Sequence, residues 1–217
     1  MRSQMLVATV SVFAVVAAWS ATQVEQSAEA ITLRNERCAI TLEVSKGGGV
    51  VTDLRLAGSD QRLLASGGLS LYFAEGQHWV GEAWISPSRV QVRPVADGQC
   101  VQVDVEDFGG FRLRKAVTLL DHAQVVQVTY ELLAIRATDP ELICPVLLQA
   151  PAELGILITP AGAIPRSDLQ VSDFALELMA DWYAFAVGPD GPGVCLVPVS
   201  WPDMHVVHYI GRHQSGD

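Results

Sequence analysis

The sequence predicts an all-β protein, an antiparallel β-sandwich with little helix apart from an N-terminal signal segment. Two observations support this fold class: hydrophobic and polar residues alternate from Ile31 onward, and glycine-rich turns separate the alternating runs. The length of 217 residues fits one domain with a sizeable core, and 50% of the residues are hydrophobic while 18% are charged. Alternation with a period of two is typical of half-buried antiparallel strands, with one face on a core and one toward water. We therefore expect a single β-sandwich domain over residues 31–217.

The N-terminus has the pattern of a secretory signal peptide. Arg2 precedes an apolar stretch, residues 5–18, which is shorter than the ~20 residues that a membrane-spanning helix needs. Small residues allow cleavage after Ser20 or after Ala30. We expect residues 1–30 to be a signal peptide and the protein to be secreted or periplasmic, with no membrane partner after cleavage. The alternative is an uncleaved membrane anchor.

The first long alternating run covers residues 38–44, and one of its faces carries Cys38, Ile40, Leu42 and Val44. A second run, residues 50–56, follows three consecutive glycines at residues 47–49. Later runs present further inward-facing residues, namely Val101, Val103, Val105, Phe111, Leu113, Val117, Leu119, Val126, Val128 and Tyr130. Runs of this length and spacing predict a series of hairpins.

Glycine and aspartate mark the turns between these runs, at residues 46–49, 57–60, 96–98, 108–110 and 120–122. Glycine reaches positive φ without a steric penalty, which tight connections require. Asp97 and Gly98, between "VQVRPV" and "CVQVDV", form a strong hairpin motif. The glycines at residues 47–49 exceed what one turn needs, and they predict a bulge or a place where another group packs against bare backbone.

The second half of the chain is less regular but also predicts strands. "LICPVLLQAP" and "LGILITP" are short apolar runs with proline, and "DWYAFAV" and "VCLVPVSW" flank the turn "GPDGPG". The last pair predicts a hairpin whose first strand begins at about Trp182. The residues before it stay open, because Phe174, Leu178 and Trp182 also fit helical spacing.

Charge and cysteine spacing exclude several classes of function. The formal net charge of −10 would repel the phosphates of nucleic acid, so we expect no nucleic-acid partner. In an oxidising compartment the cysteines allow two disulfides in three pairings, but their wide spacing excludes a CxxC redox pair and a compact zinc site. We expect most of them to be small buried hydrophobes. They are Cys38, Cys100, Cys144 and Cys195.

Two stretches resemble a known family. "ITLRNERCAITLEVSKGGGVVTDLRLAGSDQRLL" and "FGGFRLRKAVTLLDHAQVVQVTYEL" are similar to strand patterns of the galactose mutarotase-like β-supersandwich, which aldose epimerases share with sugar-binding domains of glycoside hydrolases and polysaccharide lyases. The resemblance covers residues 31–133 and implies a role in carbohydrate binding and carbohydrate metabolism. The arginine-containing substrate motif of the epimerases is not recognisable. The chain is also short for a complete supersandwich, which suggests a reduced version or the front part of a longer chain.

The stretch "EGQHWVGEAWISP" has the composition of a sugar-binding loop. Trp79 and Trp84 could supply flat apolar platforms for sugar rings, and His78 and Glu82 could act as acid and base. The alternative is that the tryptophans cover the edge of the sandwich and the charged residues are solvated.

A second candidate stretch is "SWPDMHVVHYIGRH". Here Trp201 and Asp203 could bind a sugar, and His205 could act as an acid or a hydrogen-bond partner. His205 and His208 are three residues apart and would lie on opposite faces of a strand, so a metal pair has little support. No nucleotide or nucleophile motif is present, and we expect no metal and no cofactor.

These observations favour an exported domain that binds a mono- or oligosaccharide. One alternative is a sugar epimerase or glycan-cleaving enzyme on the same fold, using His78, Glu82 and His205. Another is a structural envelope sandwich without a ligand, which would keep its tryptophans in the core. Binding ranks above catalysis because the epimerase motif is missing.

Overall fold

The computed structural model describes residues 21–45, 47–65, 68–75, 78–137, 146–169, 176–178, 182–197 and 208–210. These residues form antiparallel strands and two short 3-10 turns, Glu82–Trp84 and Arg166–Asp168, which confirms the all-β prediction. The strands are β1 (Gln23–Gln26), β2 (Ala30–Arg34), β3 (Cys38–Glu43), β4 (Val51–Leu56), β5 (Leu69–Glu75), β6 (His78–Gly81), β7 (Arg89–Val95), β8 (Gly98–Val105), β9 (Phe111–Leu120), β10 (Val126–Ala134), β11 (Val146–Leu148), β12 (Ile156–Thr159), β13 (Gly162–Pro165), β14 (Leu176–Leu178), β15 (Tyr183–Ala186), β16 (Gly193–Leu196) and β17 (His208–Ile210).

Two of the sheets pack face to face and form the sandwich. The larger sheet has the order β1-β2-β3-β4-β5-β11, with β6 also paired to β5, and the smaller has the order β10-β9-β8-β7. Their facing side chains make one apolar cluster, to which the larger sheet contributes residues such as Ile31 and Leu42, and the smaller Val101, Val103, Val117 and Leu119. Burying apolar area between two sheets in this way is the main source of stability for such a fold.

The predicted alternation holds along the central strands. In β3, the residues Cys38, Ile40 and Leu42 are buried while their neighbours are partly exposed. In β9, every second residue from Phe111 to Leu119 is buried. The predicted hairpin at residues 96–98 is also present, since Val95 of β7 pairs with Gly98 of β8.

The N-terminal hairpin is anchored to the smaller sheet. The backbone amide of Thr22 donates a hydrogen bond to Asp121 Oδ1 at 2.6 Å, and the Asn35 side chain donates to the carbonyl of Leu120 at 2.6 Å. Because β1 pairs with β2, cleavage after Ala30 would remove a strand of the sheet, whereas cleavage after Ser20 would leave the hairpin whole. Residues 1–20, which carry the predicted signal segment, lie outside the described residues, and no helix in the described part of the chain is long and apolar enough to cross a membrane.

The second half of the chain forms its own small sheet, β13-β12-β15-β16. The predicted hairpin is present as β15 and β16, with Phe185 opposite Val194. Residues 176–178, which the sequence left open between helix and strand, are strand β14 paired with β17. Side chains of this sheet and of the loops near it form a second apolar cluster. Leu54 and Leu56 of β4 pack against this cluster.

The described cysteines are free thiols. Cys38 and Cys100 are buried in β3 and β8, as expected for small hydrophobes, and Cys195 of β16 is exposed. Burial raises the pKa of the Cys38 thiol, which suppresses its reactive thiolate form. Cys144 lies outside the described residues.

Candidate functional site

The candidate site is on the hairpin of β5 and β6. Tyr72 pairs with Gly81, and two residues further along Trp79 pairs with Ala74. Residues directly opposite each other, and residues two apart on one strand, project from the same face of a sheet. Tyr72 and Trp79 therefore share one face of the hairpin, and the buried Leu71 lies on the other.

Trp84 joins this face from the 3-10 turn that follows β6. Its ring meets the Tyr72 ring edge to face, with the centroids 5.6 Å apart and the planes at 83°. A Cβ atom at Gly81 would come within 2.7 Å of Tyr72 Cε1 and 3.2 Å of Trp84 Cδ2, so only glycine leaves room for the two rings at this position. We name the set of Tyr72, Trp79 and Trp84 the aromatic surface.

Both tryptophans of this stretch are accessible to solvent. Trp79 is 50% exposed and Trp84 is 63% exposed, so neither plugs the interior of the sandwich. A structural module without a ligand would bury such side chains, because each offers a large apolar area. This part of the chain therefore has the accessibility that a binding surface needs.

Glu82 has the opposite environment, because it is fully buried although it shares the 3-10 turn with the exposed Trp84. Its Oε1 atom accepts a hydrogen bond from Lys115 Nζ at 2.6 Å, and its Oε2 atom accepts one from the backbone amide of Leu71 at 2.9 Å. Tyr130 donates a longer bond to Oε2 at 3.5 Å. The alternative that the charged residues of this stretch are solvated is wrong for Glu82, because its side chain is buried. Its hydrogen-bond donors offset part of the desolvation of a buried carboxylate.

Lys115 completes the charge pair from β9. It is as fully buried as Glu82, and its ammonium also donates to the carbonyl of Gly49 at 2.7 Å. Burial lowers the pKa of Lys115, and the Glu82 carboxylate only partly offsets this effect. Two hydrogen bonds, one of which is also the ion pair with Glu82, therefore hold a lysine that the apolar surroundings would otherwise favour in its neutral form.

Tyr130 closes the cluster from β10. The Lys115 ammonium lies 5.2 Å from the centre of the Tyr130 ring, within the range of a cation–π contact. Burial, and after it the nearby Glu82 carboxylate, raises the pKa of the Tyr130 hydroxyl well above its ordinary value. The hydroxyl is thus a neutral donor in the folded protein. We name Glu82, Lys115 and Tyr130 the buried polar cluster.

The glycine turn at residues 47–49 packs against this cluster, as the surplus of glycine predicted. The Gly48 amide donates to the backbone carbonyl of Glu82 at 2.8 Å, and a Cβ atom at Gly48 would lie 3.2 Å from that oxygen. Gly49 has a φ of +84°, and a Cβ atom there would lie 2.7 Å from Val103 Cγ2. A register shift between β3 and β4 lies elsewhere, between Thr41 and Leu42, so at the glycines themselves the structure shows the close packing and not a bulge of the ladder.

The structure brings only part of the predicted site together. Trp79, Glu82 and Trp84 lie within one hairpin and its following turn, and His78 begins β6 opposite Glu75. The roles predicted for these residues stay predictions; as described, the Glu82 carboxylate has no exposed surface for a substrate to contact. Trp201, Asp203 and His205 lie outside the described residues.

Sequence reasoning missed three residues of this region, Tyr72, Lys115 and Tyr130. Lys115 had a visible signal, because in "FRLRKAVTLL" it occupies an inward position of the alternating pattern between Leu113 and Val117. Tyr130 was recognised as facing inward but not as a hydrogen-bond donor. Nothing in the sequence pairs Lys115 with Glu82, since the two are distant along the chain.

Comparisons with known proteins find no family model, no curated protein and no solved structure that matches this chain. The similarity to the galactose mutarotase-like supersandwich therefore stays a prediction that rests on strand patterns.

Proposed function

We propose that this chain is an exported carbohydrate-binding domain of galactose mutarotase-like fold, and that a mono- or oligosaccharide stacks on the aromatic surface. The observation that carries the proposal is the pair of exposed tryptophans, Trp79 and Trp84, held with Tyr72 on one side of a hairpin. Exposed aromatic residues collected in one place are typical of binding sites, because water solvates their faces poorly.

The chemistry of the aromatic surface suits a sugar. One face of a pyranose ring presents C–H groups, which pack against flat apolar rings, while the hydroxyl groups stay toward water. Tryptophan and tyrosine offer a large contact area and lose little conformational entropy on binding, since each has only two side-chain torsions. In this arrangement Tyr72 fixes the Trp84 ring before a ligand arrives, which lowers the entropic cost of binding.

The alternative of an enzyme that uses His78, Glu82 and His205 has less support. A general acid or base must come within hydrogen-bond reach of the substrate. The Glu82 carboxylate is enclosed by Leu71, Lys115 and Tyr130, so a substrate on the aromatic surface would not reach it without a rearrangement. Binding without catalysis requires only the exposed rings.

Titration of tryptophan fluorescence with a panel of mono- and oligosaccharides tests the proposal. We expect at least one sugar to change the emission, and Trp84→Ala to weaken its binding by about tenfold, as for a central aromatic contact. The melting temperature should shift by no more than about 2 °C, because the ring is mostly exposed.

Leu133→Ala is the matched control. Leu133 is 62% exposed, almost the same as Trp84, but it is on β10 of the other sheet. It should leave both sugar affinity and melting temperature unchanged. Emission that responds to no sugar in the panel, or equal losses of affinity in the two variants, would contradict the proposal.

A further inference from the structure

The buried polar cluster links several elements through one carboxylate. Glu82 follows β6, and its side chain reaches the backbone of β5 at Leu71, the ammonium of Lys115 on β9 and the hydroxyl of Tyr130 on β10. Lys115 extends the link to Gly49. The larger and the smaller sheet are thus connected by directional bonds next to the aromatic surface, in an interior that is otherwise apolar at that level.

One of these bonds has both of its ends next to the residues that carry the aromatic rings. Leu71, whose amide binds Glu82 Oε2 at 2.9 Å, directly precedes Tyr72. Glu82 opens the 3-10 turn that ends at Trp84. The bond between Glu82 and Leu71, together with the pairing of Tyr72 with Gly81, therefore sets the distance between the backbone segments that carry the two rings. The edge-to-face contact of Tyr72 and Trp84 depends on that distance.

A buried charge pair adds less to stability than the attraction between its charges alone would suggest. Desolvation of two ions offsets much of their attraction, and apolar side chains of similar volume often give equal or greater stability. Apolar contacts, however, have no preferred direction, whereas a carboxylate with three donors holds its neighbours at defined angles. A pair that adds little net stability but fixes orientation fits a residue that positions something else.

We propose that Glu82 and Lys115 are positioning residues, which hold the Tyr72 and Trp84 rings of the aromatic surface in the geometry that binds a ligand. The part of this inference that concerns sugar affinity rests on the proposed function. The part that concerns ring geometry does not, because it can be observed without any ligand.

The decisive variant replaces both ions by apolar side chains of similar length, Glu82→Met together with Lys115→Met. Breaking the pair with Lys115→Met alone should lower the melting temperature by about 10 °C, because it leaves a buried carboxylate without its cation. The double variant should recover most of that loss, since neither ion remains. Ring geometry is followed by fluorine NMR of protein labelled with fluorotryptophan, with the Trp84 resonance assigned through Trp84→Phe.

If the pair positions the rings, the Trp84 resonance of the double variant should shift and broaden although the melting temperature has recovered. The resonance of Trp182, which lies in the second half of the chain, should stay in place. Val117→Ala, an apolar change at the next inward position of β9, is the control for destabilisation: it should lower the melting temperature and leave the Trp84 resonance where it is.

An unchanged Trp84 resonance in the folded double variant would overturn the proposal, because the pair would then serve stability alone. A double variant that does not fold would overturn it too, since the ions would be required for the fold itself. Sugar affinity is a separate readout: we expect a several-fold loss in the double variant. If the unaltered protein binds no sugar, the proposed function fails, while the resonance still decides whether the pair positions the rings.

Discussion

The space between the two sheets is built in two different ways, and β9 runs through both. At its C-terminal end Val117 and Leu119 face a cluster that consists only of apolar side chains. Two residues earlier, at the next inward position, Lys115 faces Glu82 and Tyr130. The same strand with the same alternation thus supports an apolar core at one level and an ion pair at the next.

The difference teaches what each kind of interior contributes. Apolar packing stabilises in proportion to the buried area and tolerates many arrangements, so its residues can be exchanged for others of similar volume. Buried charge pairs in general add little net stability over apolar packing, but the bonds of the buried polar cluster have fixed partners and fixed directions. The exposed Trp84 is two residues from Glu82 and packs on Tyr72, so the directional part of the interior is the part next to the candidate site.

The largest expected effect is on unfolding free energy, and its pH dependence should differ between a variant in the buried polar cluster and a variant in the apolar cluster. Glu82→Ala should lower the free energy of unfolding by about 4 kcal/mol at neutral pH, because Lys115 must then either keep a buried charge without its partner or give up its proton. Leu119→Ala should cost about 3 kcal/mol through the cavity that it leaves. Urea denaturation across a pH series measures both.

The sign of the pH dependence follows from the lysine. Burial lowers the pKa of Lys115 in the folded state, so the unfolded chain binds more protons between that lowered pKa and 10.5, the ordinary lysine value. Stability therefore rises with pH in that window, and it should rise most when the carboxylate that supports the charged form is absent. The deficit of Glu82→Ala should narrow toward alkaline pH, whereas that of Leu119→Ala should stay constant. Parallel curves for the two variants would mean that Lys115 is not charged in the fold.

Substitutions in the glycine turn should have smaller effects on stability. The turn contacts both Val103 of the apolar cluster and Lys115 of the buried polar cluster. Gly49→Ala should cost about 2 kcal/mol, because φ at this position is +84° and the new methyl group would press on Val103. Gly48→Ala should cost about 1 kcal/mol, or a few degrees in melting temperature, since its φ is not in the left-handed region and the methyl group would only crowd Glu82 and Ile85. Thermal unfolding compares them.

Sugar affinity is the second readout for the glycine turn. Gly48→Ala should leave it unchanged, because Gly48 is buried and contacts Glu82 and Ile85, whereas a ligand would contact the exposed tryptophan rings. A greater loss of stability in Gly48→Ala than in Gly49→Ala would show that close packing, and not backbone conformation, dominates at this turn.

Tyr130→Phe should have the smallest effect at neutral pH, below about 1 kcal/mol, because the bond that it removes is long at 3.5 Å. Above pH 10 the stability difference between the unaltered protein and this variant should become smaller still. The unfolded tyrosine ionises near its ordinary pKa of 10.0, while the folded one stays neutral because burial raises its pKa, so the unaltered protein loses stability as the pH rises.

Phenylalanine has no such dependence, so the difference in unfolding free energy between the two proteins should shrink above pH 10. Tyr183→Phe provides a comparison in the second apolar cluster, because burial raises the pKa of Tyr183 as well. The test is whether the difference in unfolding free energy between the unaltered protein and the Tyr130→Phe variant varies between pH 9 and pH 11. A difference that stays constant to within tenths of a kcal/mol would contradict a neutral buried hydroxyl.

The sequence predicted the strands because their signal is local. The alternation in residues such as Ile40 and Val103, and the turn at Gly98, each depend on a few neighbouring positions. The candidate site was predicted in part for the same reason, since Trp79, Glu82 and Trp84 lie within one short stretch.

The rest depended on contacts between distant parts of the chain. The burial of Glu82 could not be predicted, because its partner Lys115 lies 33 residues away on another sheet. The surplus of glycine predicted a bulge or close packing against bare backbone, but the sequence does not show that Glu82 and Ile85 are the residues that pack against Gly48. Tyr72 gave no signal at all, since its importance comes from the register that places it over Gly81.

The free cysteines make the stability of the two sheets measurable separately. Cys38 is in the larger sheet and Cys100 in the smaller, and both are buried, so a thiol reagent reaches each of them only when its own strand opens. The exposed Cys195 reacts without any opening and serves as an internal reference for reagent and time. Mass spectrometry of partly labelled protein therefore reports, residue by residue, which face of the sandwich loosens first and whether both give way in one cooperative step.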